Sequence, residues 1–238
     1  MLALICSTIS ARVIGLATNS APAETSAPAA PTLTGTYDTP GVARGVHVSG
    51  NYAFVADGGA GLQIVNISAP ATPTLSGAYN APDNVRGAAV SGSYAYVTAE
   101  TAGLQIVNIA NPANPSPTFT YDTPGFARSV VVSGNYVYVA DGDAGLQIVN
   151  VANPSSPALA GTLDTPGTAY GVAVSGSYAY VADWDGLQII NVSNPASPAL
   201  AGTYNTPGLA VGIALSGNYA YVADWDFGLQ IINVTNSA

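Results

Sequence analysis

The stretch Ser133-Gly134-Asn135-Tyr136-Val137-Tyr138-Val139-Ala140-Asp141-Gly142-Asp143-Ala144-Gly145-Leu146-Gln147-Ile148-Val149-Asn150 decides the fold. Two runs rich in Val, Ile and Tyr flank a turn of Asp and Gly, and a Ser-Gly-Asn turn precedes the first, which reads as consecutive antiparallel strands. The pattern recurs. Ser-Gly-Asn/Ser-Tyr begins at Ser49, Ser91, Ser133, Ser175 and Ser216, at spacings of 42, 42, 42 and 41 residues. Gly-Leu-Gln-Ile keeps step from Gly61, Gly103, Gly145, Gly186 and Gly228, and the single missing residue falls in the fourth unit, at Asp183-Trp184-Asp185-Gly186. Tyr37, Tyr79, Tyr121, Leu163 and Tyr204 each precede a short polar segment containing proline.

Working outward from the third unit, four strands are predicted: A over Ala127 to Val132, B over Tyr136 to Ala140, C over Leu146 to Val151 and D over Ala158 to Leu163. Four short antiparallel strands recurring every 42 residues or so fit a blade of a β-propeller, and the glycines and prolines recurring between short β-branched and tyrosine-containing runs disfavour the long helices of helical repeats. Strand A is almost continuously apolar, as in Ser129-Val130-Val131-Val132, and so suits coverage on both faces. Strands A, B and C appear five times, the last C strand ending at Val234. D strands are expected at Pro31 to Tyr37, Leu75 to Tyr79, Thr118 to Tyr121, Ala158 to Leu163 and Ala199 to Tyr204. The first D strand thus precedes any A strand. The expectation is an all-β, five-bladed propeller over residues 31–238, closed by the N-terminal outer strand Pro31 to Tyr37 because closure removes an exposed edge. An open five-unit fragment that dimerises is the alternative.

Composition narrows the function. The 238 residues carry 13 acids, four arginines and no lysine, a net charge of -9, and only 7% charged residues. A nucleic-acid binder with a basic footprint is excluded. One cysteine, Cys6, and one histidine, His47, remove an intramolecular disulfide and most metal or general-base sets. Residues 1–30 form an apolar segment followed by an Ala/Pro-rich linker; they read as a signal-peptide remnant or as a segment exchanged between subunits, and no apolar run is long enough for a membrane span.

Tyr178 to Asp183 (Tyr-Ala-Tyr-Val-Ala-Asp), Gly145 to Asn150 (Gly-Leu-Gln-Ile-Val-Asn) and Asn194 to Pro198 (Asn-Pro-Ala-Ser-Pro) resemble the LVIVD-repeat family over roughly residues 31–236. The resemblance implies a propeller-like protein, secreted or at the cell surface of bacteria or archaea, and supplies no catalytic residues. It departs at one position: Asn66, Asn108, Asn150, Asn191 and Asn233 stand where the family name has aspartate.

In a propeller the B-to-C and D-to-A connections share the top face, and 12 of the 13 acids fall in them, leaving only Glu24. As turn formers, these carboxylates are expected to cap amides of their own tight hairpins. The pairs Asp141/Asp143 and Asp224/Asp226, each followed by a glycine, resemble the start of a calcium loop, so a weak calcium site is the alternative there; no other cofactor is expected. Arg44, Arg86 and Arg128 share one address at the start of strand A, where units four and five have Tyr170 and Val211. They are expected at the mouth of the central channel, either paired with Asp38, Asp83 or Asp122, or holding a small anionic ligand. Trp184 with Asp185, and Trp225 with Asp226, suit stacking on a sugar ring with carboxylates accepting its hydroxyl hydrogens. His47 reads as a core or channel residue. Together these point to a non-catalytic binding module outside the cell, recognising protein or carbohydrate on its acidic top face. The alternatives are a structural subunit that self-associates through its N-terminal segment, or a glycoside hydrolase using two top-face aspartates.

Overall fold

The computed structural model describes residues 31–235. The described residues from Thr34 onward form one compact unit. It is all β, built from five sheets in chain order. Blade 1 contains β1 (Gly45–Ser49), β2 (Tyr52–Ala56), β3 (Leu62–Asn66) and β4 (Thr74–Tyr79). Blade 2 contains β5 (Gly87–Ser91), β6 (Tyr94–Thr98), β7 (Leu104–Asn108) and β8 (Ser116–Tyr121). Blade 3 follows with β9 (Ser129–Ser133), β10 (Tyr136–Ala140), β11 (Leu146–Asn150) and β12 (Ala158–Leu163). Blade 4 has β13 (Gly171–Ser175), β14 (Tyr178–Ala182), β15 (Trp184–Asn191) and β16 (Ala199–Ala210), and blade 5 has β17 (Gly212–Ser216), β18 (Tyr219–Ala223) and β19 (Leu229–Asn233). Four sheets are four-stranded antiparallel meanders; the fifth has three strands.

Local chemistry explains each blade. The first hairpin turns at a Gly-X pair, and Gly50, Gly92, Gly134, Gly176 and Gly217 all sit at φ between +54 and +57° with open space where a Cβ would go. Glycine is needed there for its backbone conformation alone, the Gly-X loop whose twist matches that of the strands. After each C strand the Asn side chain begins an Asx turn: Asn66, Asn108, Asn150, Asn191 and Asn233 accept the amide two residues on, each at 2.9 Å. An amide oxygen serves as well as a carboxylate for that bond, which accounts for the asparagine at this position.

Blades meet face to face. Phe54, Ala56, Leu62 and Ile64 of blade 1 pack on Ala95, Val97 and Val107 of blade 2, and the same layering joins blades 2 and 3, 3 and 4, and 4 and 5. Each fully buried Leu or Ile contributes about 1.5–3 kcal/mol, so these four layers dominate stability. A strands of successive blades adjoin, and their first residues line one central channel.

Among the described residues no N-terminal strand closes the ring: 31–39 carry no strand, and β19 pairs only with β18. The outer face of blade 5 is left open, with Leu229 60% and Ile231 59% exposed, as is the inner strand of blade 1, with Val46 66% exposed. The stretch Pro31 to Tyr37 instead lies along blade 1, where Gly35 abuts Pro70–Ala71, and so is not paired with β19.

Candidate functional site

The top face is organised by a latch of buried carboxylates. Asp57, Asp141, Asp183 and Asp224 are fully buried. Asp141 accepts from the Thr123 hydroxyl at 2.6 Å and the Gly125 amide at 2.9 Å; Asp57 does the same with Thr39 and Gly41, and Asp224 with Thr206 and Gly208. Asp183 takes the Gly167 and Gly186 amides. These aspartates therefore do not merely cap their own hairpins, as expected from sequence; most of their bonds reach 16 to 18 residues back to the incoming D-to-A connection. Thr-Pro-Gly supplies both donors, and its glycine is required by close approach, since a Cβ on Gly125 would collide with the Asp141 carbonyl. Blade 2 lacks the whole device: Ala99 replaces the aspartate, Ala81 the threonine and Asp83 the glycine. Asp83 instead accepts from the Thr101 amide and hydroxyl, and the hydroxyl bond, with the Asn84 amide, lowers its pKa. Burial raises the pKa of Asp141 and Asp183 against the pull of these hydrogen bonds.

The remaining top-face acids sort by exposure. Asp38, Asp122, Asp143, Asp164, Asp185 and Asp226 are exposed, while Asp83 and Glu100 are half-buried. For the calcium alternative, Asp141 and Asp224 have both carboxylate oxygens engaged in the latch, and among the described residues no three His, Cys, Asp or Glu side chains gather.

The arginines converge. Arg44, Arg86, Arg128 and Tyr170 line two adjoining cavities of about 410 and 350 Å³, the first running along the starts of all five A strands, His47 included. Their shared address is set by the backbone: the amides of Arg44, Arg86, Arg128, Tyr170 and Val211 each bond the last residue of the adjacent B strand. Burial lowers the pKa of His47, which favours the neutral imidazole. The three guanidiniums differ in partners. Arg86 is paired with Glu100, its Nε donating to Oε1 at 2.6 Å, rather than with Asp83. Glu100 adopts φ +37° at a turn position held elsewhere by Gly58 and Gly142, which brings the longer acid beside the channel while Asp83 is taken by Thr101. Arg128 lies 4.1 Å above the Tyr170 ring, with a buried Nε that has no hydrogen-bond partner. Arg44 is exposed, and among the described residues the only ion pair is Arg86–Glu100.

Trp184 and Trp225 occupy that same positive-φ turn position, at +70 and +41°. The Trp184 ring packs on Tyr170 at 5.5 Å, so Arg128, Tyr170 and Trp184 form a continuous stack from the channel mouth to blade 4. Trp184 and Asp185 edge a groove of about 490 Å³. Trp225 and Asp226 border a different one of about 260 Å³, so the two aspartates offered for glycoside hydrolysis do not share a cavity.

The groove over blade 4 contains a residue whose role the sequence reading missed. In the other blades the glutamine of Gly-Leu-Gln-Ile donates to a carbonyl three residues back: Gln63 to Ala60, Gln105 to Ala102, Gln147 to Ala144 and Gln230 to Phe227. In unit four, one residue shorter in this turn, the residue three back is Asp185, and its carbonyl does not accept the bond. Gln188 keeps its Oε1 bond from the Thr203 hydroxyl at 2.8 Å, but Nε2, beside the Asp183 carboxylate, makes no well-formed hydrogen bond and borders the groove. The signal was present as an invariant glutamine at a strand position otherwise filled by apolar side chains.

Solved structures share the architecture. A periplasmic gluconolactonase from Pseudomonas aeruginosa superimposes with a TM-score of 0.72 at 14% identity, over 82% of this chain and 68% of that one. The β-propeller domain of Cps50 (Swd1) from Myceliophteria thermophila gives 0.64 at 15%, over 78% and 66%. The computationally designed Ika8 protein gives 0.67 at 8%, over 82% and 59%, so the chain spans about three fifths of that structure's length. At such identities the likeness concerns the fold alone. No curated protein matches the sequence. The LVIVD repeat, however, matches five times, at residues 40–81, 83–123, 124–165, 166–206 and 207–238, and the chain belongs to the LVIVD-repeat family of β-propeller-like proteins.

Proposed function

We propose that this protein is a non-catalytic binding module working outside the cytoplasm, and that the mouth of its central channel takes a small anionic ligand, a carboxylate or phosphate. One observation carries the reading: three guanidiniums line one pair of adjoining cavities with a single carboxylate, Glu100, paired among them. Guanidinium forks suit planar or tetrahedral oxyanions, and the Tyr170 ring beneath Arg128 holds that fork in a fixed plane. Exposed charges separated by more than about 8 Å are screened at physiological salt, which limits the reach of the overall negative charge. The extracellular placement is supported by the family resemblance and by a periplasmic enzyme among the structural neighbours. A second reading rests on Gln188: its Nε2, without a well-formed hydrogen bond, borders the groove that Trp184 and Asp185 also line, which suits a neutral polyhydroxy ligand, such as a sugar.

Both are read by one thermal-shift panel using inorganic phosphate, citrate and cellobiose at constant ionic strength. Saturation at about 100 times Kd adds about 2.7 kcal/mol, or roughly 5–10 °C in Tm for a domain of this size. Protection by phosphate or citrate is expected in the parent and absent from the Arg44→Gln/Arg86→Gln/Arg128→Gln variant. Equal protection in both refutes the anion site. Cellobiose protection that survives Trp184→Ala refutes the groove.

A further inference from the structure

The two ends of the arc are complementary to each other in three separate ways. The first is the apolar face. Leu229 occupies the position of Leu62, Leu104, Leu146 and Leu187, all fully buried by the following blade, yet it is 60% exposed. At the other end Val46 and Val48 are 66 and 59% exposed, whereas Val130 and Val172, at the position of Val46, are buried against the preceding blade.

The second is a backbone clasp along the top rim. Gly58 pairs with Val85, Glu100 with Ala127 and Gly142 with Ala169, through bonds of 2.9 to 3.2 Å joining the B-to-C turn of one blade to the residue two before the next A strand. Trp184 and Ala210 continue the series. Val85, Ala127, Ala169 and Ala210 are fully buried. The next members are Trp225 and Ala43, and both are exposed.

The third is the missing strand. Gly77 and Gly161, on the D strands of blades 1 and 3, abut the C-to-D turn of the following blade at Pro112–Ala113 and Pro195–Ala196. Gly35 abuts Pro70–Ala71 in the same manner. Residues 34–37 therefore stand beside blade 1 where a preceding blade would keep its D strand, and β19 is an edge without one.

We infer that blade 5 of one copy docks onto blade 1 of a second copy, reproducing the internal blade interface. The second copy brings its Ala43 to Trp225, lays Val46 and Val48 over Leu229 and Ile231, and offers its residues 34–37 as the fourth strand of blade 5. A second copy is the occupant because the interface is continuous with four already inside the chain, and because the ends of one chain do not meet. Docking also covers an exposed apolar edge strand, a feature that otherwise invites uncontrolled pairing. The contact is head-to-tail, so it propagates until a ring closes or a filament forms.

Cross-linking tests it on the full chain carrying Cys6→Ser. Bridged residues of an antiparallel pair lie within the Cα separation a disulfide needs. Mixing the Ala43→Cys and Trp225→Cys chains under mild oxidation is expected to give a covalent species of twice 23.7 kDa that neither chain forms alone. In the same background, Ile231→Asp is expected to reduce the sedimenting mass to that of one chain, with Tm matching the parent's at protein concentrations low enough that the parent is also a single chain, since Ile231 is exposed there. The inference is overturned if the mixture gives no linked pair. A link formed only within one chain carrying both cysteines assigns the face to closure, and no link in either case assigns it to another segment or partner. A mass unaffected by Ile231→Asp also overturns it.

Discussion

Blades 3 and 5 are written in nearly the same residues and stand in different surroundings. Leu146 and Leu229 both follow a glycine, begin a C strand and pair with the end of a B strand, at Ala140 and Ala223. One is fully buried and the other 60% exposed, because blade 4 covers blade 3 and no described blade covers the outer face of blade 5. The contrast separates what the repeat encodes locally, a hairpin and its turns, from what it obtains only from a neighbour, burial.

The sharpest way to break that comparison is to truncate both leucines. Leu146→Ala should cost about 3 kcal/mol, whereas Leu229→Ala should stay within about 0.5 kcal/mol, read from urea midpoints at low protein concentration. A loss at Leu229 that grows with protein concentration would mean that a second copy buries it.

The latch gives the next largest effect, and blade 2 serves as the internal control. Asp141→Ala leaves the Thr123 hydroxyl and Gly125 amide without their acceptor and should cost about 2 kcal/mol. In blade 2, Ala99→Asp alone buries a carboxylate without a hydroxyl donor and should destabilise, and adding Ala81→Thr should recover part of the loss, a coupling of about 0.5–3 kcal/mol. Additive effects would show that the carboxylates do not act through the threonine. The pH dependence carries the same signature. Burial raises the folded-state pKa of Asp141 above the unfolded 3.8, so the folded chain binds the proton more tightly and stability falls as pH rises from 3.8 through the raised value. Asp141→Asn should flatten that part of the stability profile, and an unchanged slope would assign it to Asp183.

The smallest expected change is at Glu100. Replacing it with glycine removes an ion pair whose members are 30 and 15% exposed, worth at most about 1 kcal/mol, and relieves a positive φ that costs a side chain about 1 kcal/mol. Glu100→Gly should therefore be near neutral in thermal melts. A loss above 2 kcal/mol would make the pair a larger element of the channel mouth than its exposure suggests.

Much of this was legible before any coordinates. Strand B of the third unit, Tyr136–Ala140, and strand D, Ala158–Leu163, were placed at their observed bounds, since alternation and the Ser-Gly-Asn turn are properties of a few consecutive residues. The common address of Arg44, Arg86 and Arg128 followed from the repeat alone. The partners did not: Glu100 was read as one turn acid among many, and a carboxylate two residues along a turn is distinguished from its neighbours only by which way a positive φ aims it. The closing strand at Pro31 to Tyr37 rests on a count of strands, and a count does not say whether two ends come within pairing distance.

The amino-acid sequence by itself determined the repeat, its hairpins, its turn glycines and the gathering of acids on one rim, because each depends on residues close along the chain. Tertiary structure alone decided which acids are buried latches, which arginine is paired, which glutamine lost its acceptor and whether the arc closes. Those outcomes depend on groups brought together across blades and turns, many of them 14 or more residues apart, separations over which a linear pattern carries no geometry.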